Sequence, residues 1–132
     1  MNVFLDTSAV IELERKNPQI HNKYAKIARA CIPCVVRAEL LQGAKLSRKK
    51  HAEKQVRELI SSFRQASFDE ESADIFSELS VRQIRAGTIK SPIDTMILAC
   101  AIQHGADILV TQNPKDFRSE LFAGRVCTIE EL

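Results

Sequence analysis

Residues 1–8 of the chain read MNVFLDTS, and this stretch decides the fold. Apolar, strand-favouring residues lead directly to the carboxylate of Asp6, and residues typical of a helix start follow it at once. The pattern predicts a buried strand that ends at Asp6. Because ligands bind at the carboxyl ends of the strands in open parallel sheets, Asp6 marks the edge where other functional groups are expected.

Further short apolar segments are predicted to be strands of the same sheet. They lie at 31–33, about 66–68, 107–111 and 125–129. Helical stretches separate most of them, which is typical of βαβ units with right-handed crossovers. The sequence therefore predicts an α/β fold in which a parallel sheet carries helices on both faces.

The spacing of apolar residues predicts helices over the intervening segments. Val36, Leu40 and Ala44 share one face of a helix over 35–46, and a helix over about 49–63 completes a hairpin with a basic turn. A helix that opens at Pro92 is apolar on nearly every side, so we expect it to be largely buried. Other helices are predicted at 9–14, about 19–29 and 70–85.

Composition limits the class of protein. The 132 residues are 45% hydrophobic and 27% charged, a balance typical of one globular domain over 1–132. No apolar run reaches the roughly 18 residues that span a bilayer, and the N-terminus lacks a secretory signal pattern, so we expect a cytoplasmic protein without a membrane partner. A net charge of +2 does not by itself indicate nucleic-acid binding. The four cysteines are expected to be thiols.

Three aspartates stand at predicted helix starts, where capping alone could explain them. Asp6 precedes the first helix, Asp94 lies in the first turn of the apolar helix, and Asp116 follows Asn113 in the same manner. Aspartate is a favoured N-cap residue and interacts well with the positive end of a helix. Each aspartate, taken singly, is therefore open to a structural explanation.

Glu39 is harder to explain by capping, because it lies well inside a predicted helix and has core-like neighbours. A buried carboxylate without a partner is costly, so Glu39 needs a basic side chain or a metal ion. If Asp6, Glu39 and Asp94 converge, their mutual repulsion calls for a divalent cation between them. Oxygen ligands suit Mg²⁺ or Mn²⁺, and such a site activates water for phosphodiester hydrolysis.

Four segments in this order resemble the PIN domain, in particular the VapC-type toxin ribonucleases. They are VFLDTS at 3–8, AEL at 38–40 with Gly43, Asp94 before an apolar helix, and LVT at 109–111 before Asn113, Asp116 and Phe117. The resemblance covers essentially the whole chain. It implies a three-layer α/β/α sandwich with a central parallel sheet, which is a Rossmann-like architecture.

The resemblance also implies the residues of the site. Asp6, Glu39 and Asp94 match the three acidic residues with which the family holds Mg²⁺ or Mn²⁺ for RNA cleavage. Asp116 is the candidate for a fourth catalytic and metal-binding residue, with Asn113 as the alternative. Similar proteins carry hydroxyl residues that orient ligands or water at the positions of Thr7, Ser8 and Thr111. The implied partners are an RNA substrate, a second copy of the chain and a cognate antitoxin whose C-terminal segment blocks the site.

The phosphates of an RNA substrate need cationic partners. The candidates lie at the basic hairpin turn and just before Asp94, although a solvated helix surface is the alternative for most of them. They are Lys45, Arg48, Lys49, Lys50, Arg82, Arg85 and Lys90. Because only 5% of residues are aromatic, we expect recognition of RNA shape or loops rather than extensive base stacking.

Three competing interpretations remain at this stage. Cys31 and Cys34 have the C-x-x-C spacing of redox sites, but Cys31 falls in a predicted strand, whereas a redox pair needs its first cysteine exposed at a helix N-terminus. An aspartate-nucleophile phosphatase also places Asp after its first strand, but Ser8 stands where its second Asp belongs. A PIN-like domain that binds RNA without cleaving it is the third, and retention of every acidic position argues against it.

Overall fold

A computed structural model describes residues 1–15 and 27–132 of the chain. Its centre is a sheet of five parallel strands in the order β3-β2-β1-β4-β5. The strands are β1 (Val3–Leu5), β2 (Cys31–Pro33), β3 (Arg64–Ala66), β4 (Ile108–Val110) and β5 (Arg125–Cys127). The predicted α/β architecture with a parallel sheet is confirmed.

The strand order places a topological switch point between β1 and β4. From the central β1, the chain adds β2 and β3 on one side and later returns to add β4 and β5 on the other. Leu5 pairs with Val110 in this register, so the residues that follow both strands emerge side by side. A switch point of this kind opens a crevice at the carboxyl edge of the sheet.

Helices pack around the sheet. They are α1 (Thr7–Arg15), α2 (Cys34–Leu46), α3 (Ala52–Ser61), α4 (Glu70–Ala86) and α5 (Pro92–Gln103), with a 3₁₀ turn at Pro114–Asp116. Residues 97–101 of α5 are all buried, as its continuous apolar sequence predicts. The helix predicted over about 19–29 falls mainly outside the described residues.

Two element boundaries differ from the predictions for physical reasons. The third strand is Arg64–Ala66 rather than 66–68, because it lies at the edge of the sheet, where Arg64 and Gln65 are exposed and hydrophobic patterning is weak. The helix predicted from about 49 starts at Ala52, because His51 adopts a left-handed backbone conformation with φ of 65°. Neither change moves the carboxyl edge of β1 or β4.

Among the helices that the structure describes, none is long and apolar enough to cross a bilayer.

Candidate active site

Asp6 lies directly at the switch point and is held by three donors. Its Oδ1 accepts from the backbone NH of Ala9 at 2.8 Å and from the Ser8 hydroxyl at 2.8 Å, and its Oδ2 accepts from the Thr111 hydroxyl at 2.6 Å. The bond to Ala9 caps α1, so Asp6 is an N-cap residue, as the capping explanation predicts. The bond from Thr111 serves no cap, and it fixes the carboxylate across the crevice between β1 and β4.

Burial raises the pKa of Asp6, although the hydrogen bonds from Thr111, Ala9 and Ser8 oppose this rise. The residue is only 4% exposed, and the charge of Glu39 raises its pKa further. Three donors therefore hold the Asp6 carboxylate in a fixed orientation next to the charge of Glu39.

Glu39 reaches the same edge from α2 and is half-buried. Its hydrogen-bond donor is the neutral hydroxyl of Thr7, at 2.5 Å from Glu39 Oε1, whereas the sequence called for a basic side chain or a metal ion. Because Thr7 is the first residue of α1, this bond ties the start of one helix to the body of another beside Asp6. Thr7 is therefore a positioning residue for Glu39.

Asp94 lies in the first turn of α5 and is half-buried. Ser91 occupies the N-cap position, but its side chain makes no capping hydrogen bond. Burial raises the pKa of Asp94 to about 6, with further contributions from the charges of Asp6, Asp116 and Glu39. Three other carboxylates thus repel the negative charge of Asp94, and this repulsion disfavours its ionised form.

Asp116 stands in the 3₁₀ turn, which the buried ring of Phe117 anchors to the core. Its Oδ1 lies 4.0 Å from Nζ of Lys90, which makes Lys90 the predicted phosphate-binding residue that the structure brings to the acidic edge. Gln83 accepts a hydrogen bond from the backbone NH of Lys90 at 3.3 Å and thereby holds this lysine near α5. Asn113 is exposed, and its backbone NH donates to Thr111.

The four carboxylates are electrostatic neighbours, but they do not form a closed ligand cluster. Within 1–15 and 27–132, no three His, Cys, Asp or Glu side chains are close enough together to hold a metal ion as they stand. The donor chemistry nevertheless fits a hard cation, since every candidate ligand atom is a carboxylate or amide oxygen.

The cysteine pair does not form a redox site. Cys31 is buried in β2, and burial raises the pKa of its thiol, which is the opposite of the shift that activates a nucleophilic cysteine. Cys34 begins α2, and none of the four cysteines, which all lie within the described residues, forms a disulfide.

Comparison with known proteins identifies the family. A model of the PIN domain matches residues 3–119. The chain belongs to the PIN-domain family.

Solved structures with the same fold are VapBC proteins from several bacteria. This PIN domain superposes with a TM-score of 0.84 on a chain of VapBC2 from Rickettsia felis bound to promoter DNA, at 25% identity over 97% of this chain and 98% of that one. The DNA-bound VapBC from Salmonella typhimurium gives 0.83 at 24% identity over 98% of both chains. A toxin-antitoxin complex from Klebsiella pneumoniae gives 0.71 at 26% identity over 95% and 96%. A comparison with curated proteins gives no significant match.

Replacing Thr111 by Val in this PIN domain should cost about 2–3 kcal/mol of folding free energy, because a buried charged acceptor then loses its donor. Thr111 is completely buried, and Val preserves its shape. Thr95→Val is the matched control, since the Thr95 hydroxyl is also buried but bonds to the neutral groups of Gln83 and Ser91. It should cost only about 1 kcal/mol. Urea denaturation at pH 8 measures both, and equal losses would contradict a special role for the bond between Thr111 and Asp6.

Proposed function

We propose that the chain is a VapC-type toxin that hydrolyses RNA phosphodiesters at an acidic site formed by Asp6, Glu39, Asp94 and Asp116. The observation that carries the proposal is the place of Asp6, which three hydrogen bonds hold at the switch point of the sheet, with the charges of Glu39, Asp94 and Asp116 nearby. PIN-family membership and the fold of VapBC proteins support the same reaction class.

The four carboxylates are proposed to hold Mg²⁺ or Mn²⁺, which when bound would activate a water molecule and stabilise charge on the phosphoryl group. Thr111, Ser8 and the NH of Ala9 keep Asp6 oriented, so this ligand needs no rearrangement. The Thr7 hydroxyl occupies one oxygen of Glu39 and leaves the other available. One of the carboxylates accepts the proton of the attacking water. Lys90 lies beside Asp116, where its ammonium group meets the incoming phosphate.

A cognate antitoxin is the proposed protein partner. A cavity of about 270 Å³ runs between α1 and the α2–α3 hairpin, where Ile11, Leu40 and Val56 contribute apolar walls. Thr7 and Glu39 line the same cavity, so a segment seated there would reach the acidic site. An amphipathic helix that lays its apolar face into such a groove is a common recognition mode. The solved relative from Klebsiella pneumoniae is a toxin-antitoxin complex by name.

A homodimer is the proposed assembly of a single domain over 1–132. Exposed apolar residues cluster at the end of the α4–α5 hairpin, where Ile84 is 61% and Ile89 is 73% exposed, with Val81 and Ile93 nearby in sequence. Exposed apolar patches of this kind mark interaction sites. Sedimentation of the purified protein would measure this assembly.

The decisive experiment is cleavage of a mixed RNA pool by the wild type and by Asp6→Asn, with and without Mg²⁺. Asparagine also caps helices, so the variant should fold. We expect cleavage by the wild type with Mg²⁺ and a loss of about 100-fold or more in the variant, because each ~1.4 kcal/mol of lost transition-state stabilisation is tenfold in rate.

Asp74→Asn is the matched control, since Asp74 is exposed on α4 and should be dispensable. A domain that only binds RNA would retain RNA without cutting it. A phosphatase would release only inorganic phosphate. Either result would refute the nuclease proposal.

A further inference from the structure

A second polar site lies outside the acidic site formed by Asp6, Glu39, Asp94 and Asp116. It is a surface cavity of about 510 Å³ lined by Arg82, Arg118, Ser119 and Glu120. Two guanidinium groups and a hydroxyl group thus face a single carboxylate. A volume of this size is within the range of sites that bind small ligands or parts of larger ones.

Two ion pairs connect the surroundings of Asp116 with this cavity. Lys90 Nζ contacts Asp116 Oδ1 at 4.0 Å, and Arg82 contacts Glu120 Oε2 at 3.6 Å. Arg82 lies on α4 and Lys90 lies in the segment after it, so both pairs join this part of the chain to residues 116–120. The cavity is therefore reached from Asp116 by following the same polypeptide segment for two to four residues, to Arg118 and Glu120.

The two cations of this cavity differ in their ion pairs. Arg118 forms no ion pair within the part of the chain that the structure describes. Arg82 is shared between Glu78 at 3.3 Å and Glu120, and the side chain of Glu120 is 92% exposed. Because exposed ion pairs are weak, an incoming anion can displace Glu120 from Arg82.

The Ser119 hydroxyl can also donate a hydrogen bond to a ligand. Its Oγ accepts a hydrogen bond from the backbone NH of Leu121 at 3.2 Å, which fixes the position of the hydroxyl group. Among the described residues, none accepts the Ser119 hydroxyl proton. A fixed hydroxyl and two guanidinium groups that line one cavity match the several acceptor oxygens of a phosphate group.

We propose that Arg82, Arg118 and Ser119 bind a backbone phosphate of the RNA that flanks the scissile phosphodiester, and that Glu120 competes with this phosphate for Arg82. The identity of the ligand as RNA rests on the proposed function. The phosphate subsite itself rests on the cavity, its two arginines and its position beside Asp116. Sequence patterning singled out Arg82 but not Arg118, Ser119 or Glu120, because nothing in their spacing signals a shared cavity.

The test is binding of a labelled single-stranded RNA of mixed sequence, measured by fluorescence anisotropy in the full-length chain carrying Asp6→Asn to prevent cleavage. The double variant Arg82→Gln with Arg118→Gln should raise Kd about tenfold. It should also reduce the slope of log Kd against log salt by about 0.7, the value for one phosphate contact on a single strand. Glu120→Gln should lower Kd about threefold, because it removes the competing anion.

Arg57→Gln is the matched control. Like Arg82, Arg57 is an exposed helical arginine paired with a glutamate four residues earlier, at 3.2 Å from Glu53. It lies on α3, away from the cavity, and its Kd should equal that of the parent protein. Circular dichroism checks that each variant is folded, and Glu120→Gln tests the site without removing an arginine.

The outcomes separate this proposal from the nuclease proposal. An unchanged Kd and salt slope in the arginine variant would overturn the phosphate subsite even if the wild type cleaves RNA. Weaker binding in Glu120→Gln would overturn it as well. If the wild type fails to cleave RNA but the arginine variant loses binding as expected, the nuclease proposal fails and the phosphate subsite stands.

Discussion

Asp94→Asn should lower RNA cleavage by about 100-fold or more and at the same time stabilise the metal-free protein. The two effects have one cause, since the negative charge that the reaction requires is repelled by Asp6, Asp116 and Glu39 when no cation lies between them. A pKa near 6 in place of 3.8 corresponds to at most about 3 kcal/mol, and screening of this half-buried group reduces the expected gain to about 1–2 kcal/mol at pH 7.5.

Urea denaturation in chelator and initial rates of RNA cleavage with Mg²⁺ measure the two effects on the same preparations. Asp74→Asn should change neither quantity, because Asp74 is exposed on α4. A variant at Asp94 that is inactive and also less stable would indicate a purely structural role. A variant that retains full activity would remove Asp94 from the site.

The stability difference between the wild type and Asp94→Asn should depend on pH. Because the folded state holds the Asp94 proton more tightly than the unfolded chain does, protonation stabilises the fold. This contribution is fully present below the unfolded value of 3.8 and is lost as the pH rises through about 6. The metal-free wild type should therefore match the variant near pH 4 and fall below it above pH 6.

Mg²⁺ or Mn²⁺ should reverse the order of stability at pH 7.5. A cation at 100 times its Kd stabilises the folded state by about 2.7 kcal/mol, provided that the unfolded chain does not bind it. For a chain of this length, that should raise Tm by about 5–10 °C in the wild type. Asp94→Asn should respond much less, because it lacks one of the proposed ligands. Equal Tm increases in both proteins would show that the cation binds elsewhere.

The sequence predicted the parts of the structure that depend on local pattern. MNVFLDTS contains both a buried strand and its terminal carboxylate, so β1 and the place of Asp6 follow from a few residues. The same holds for β4, which ends one residue before Thr111. The apolar helix α5 was predictable because burial on all sides removes polar residues from its centre.

Features that depend on tertiary contacts were not predictable in this way. The edge strand β3 has two exposed polar residues, so hydrophobic patterning placed it two positions too late. The hydrogen bond from Thr7 to Glu39 joins residues 32 positions apart, and the ion pair between Lys90 and Asp116 joins two loops. Sequence reasoning predicted a basic side chain or a metal ion beside Glu39, whereas the packing of α1 on α2 places the neutral hydroxyl of Thr7 there.

The central claim is that the carboxylates at the switch point between β1 and β4 together bind one hard divalent cation. Anomalous diffraction from a crystal soaked in Mn²⁺ tests it most directly. The account predicts an anomalous peak at a metal–oxygen distance of about 2.1 Å from oxygens of at least Asp6 and Asp94, with Glu39 and Asp116 around the same ion. A Mn²⁺ peak at another surface, with these carboxylates unmoved and unliganded at full metal occupancy, would contradict it.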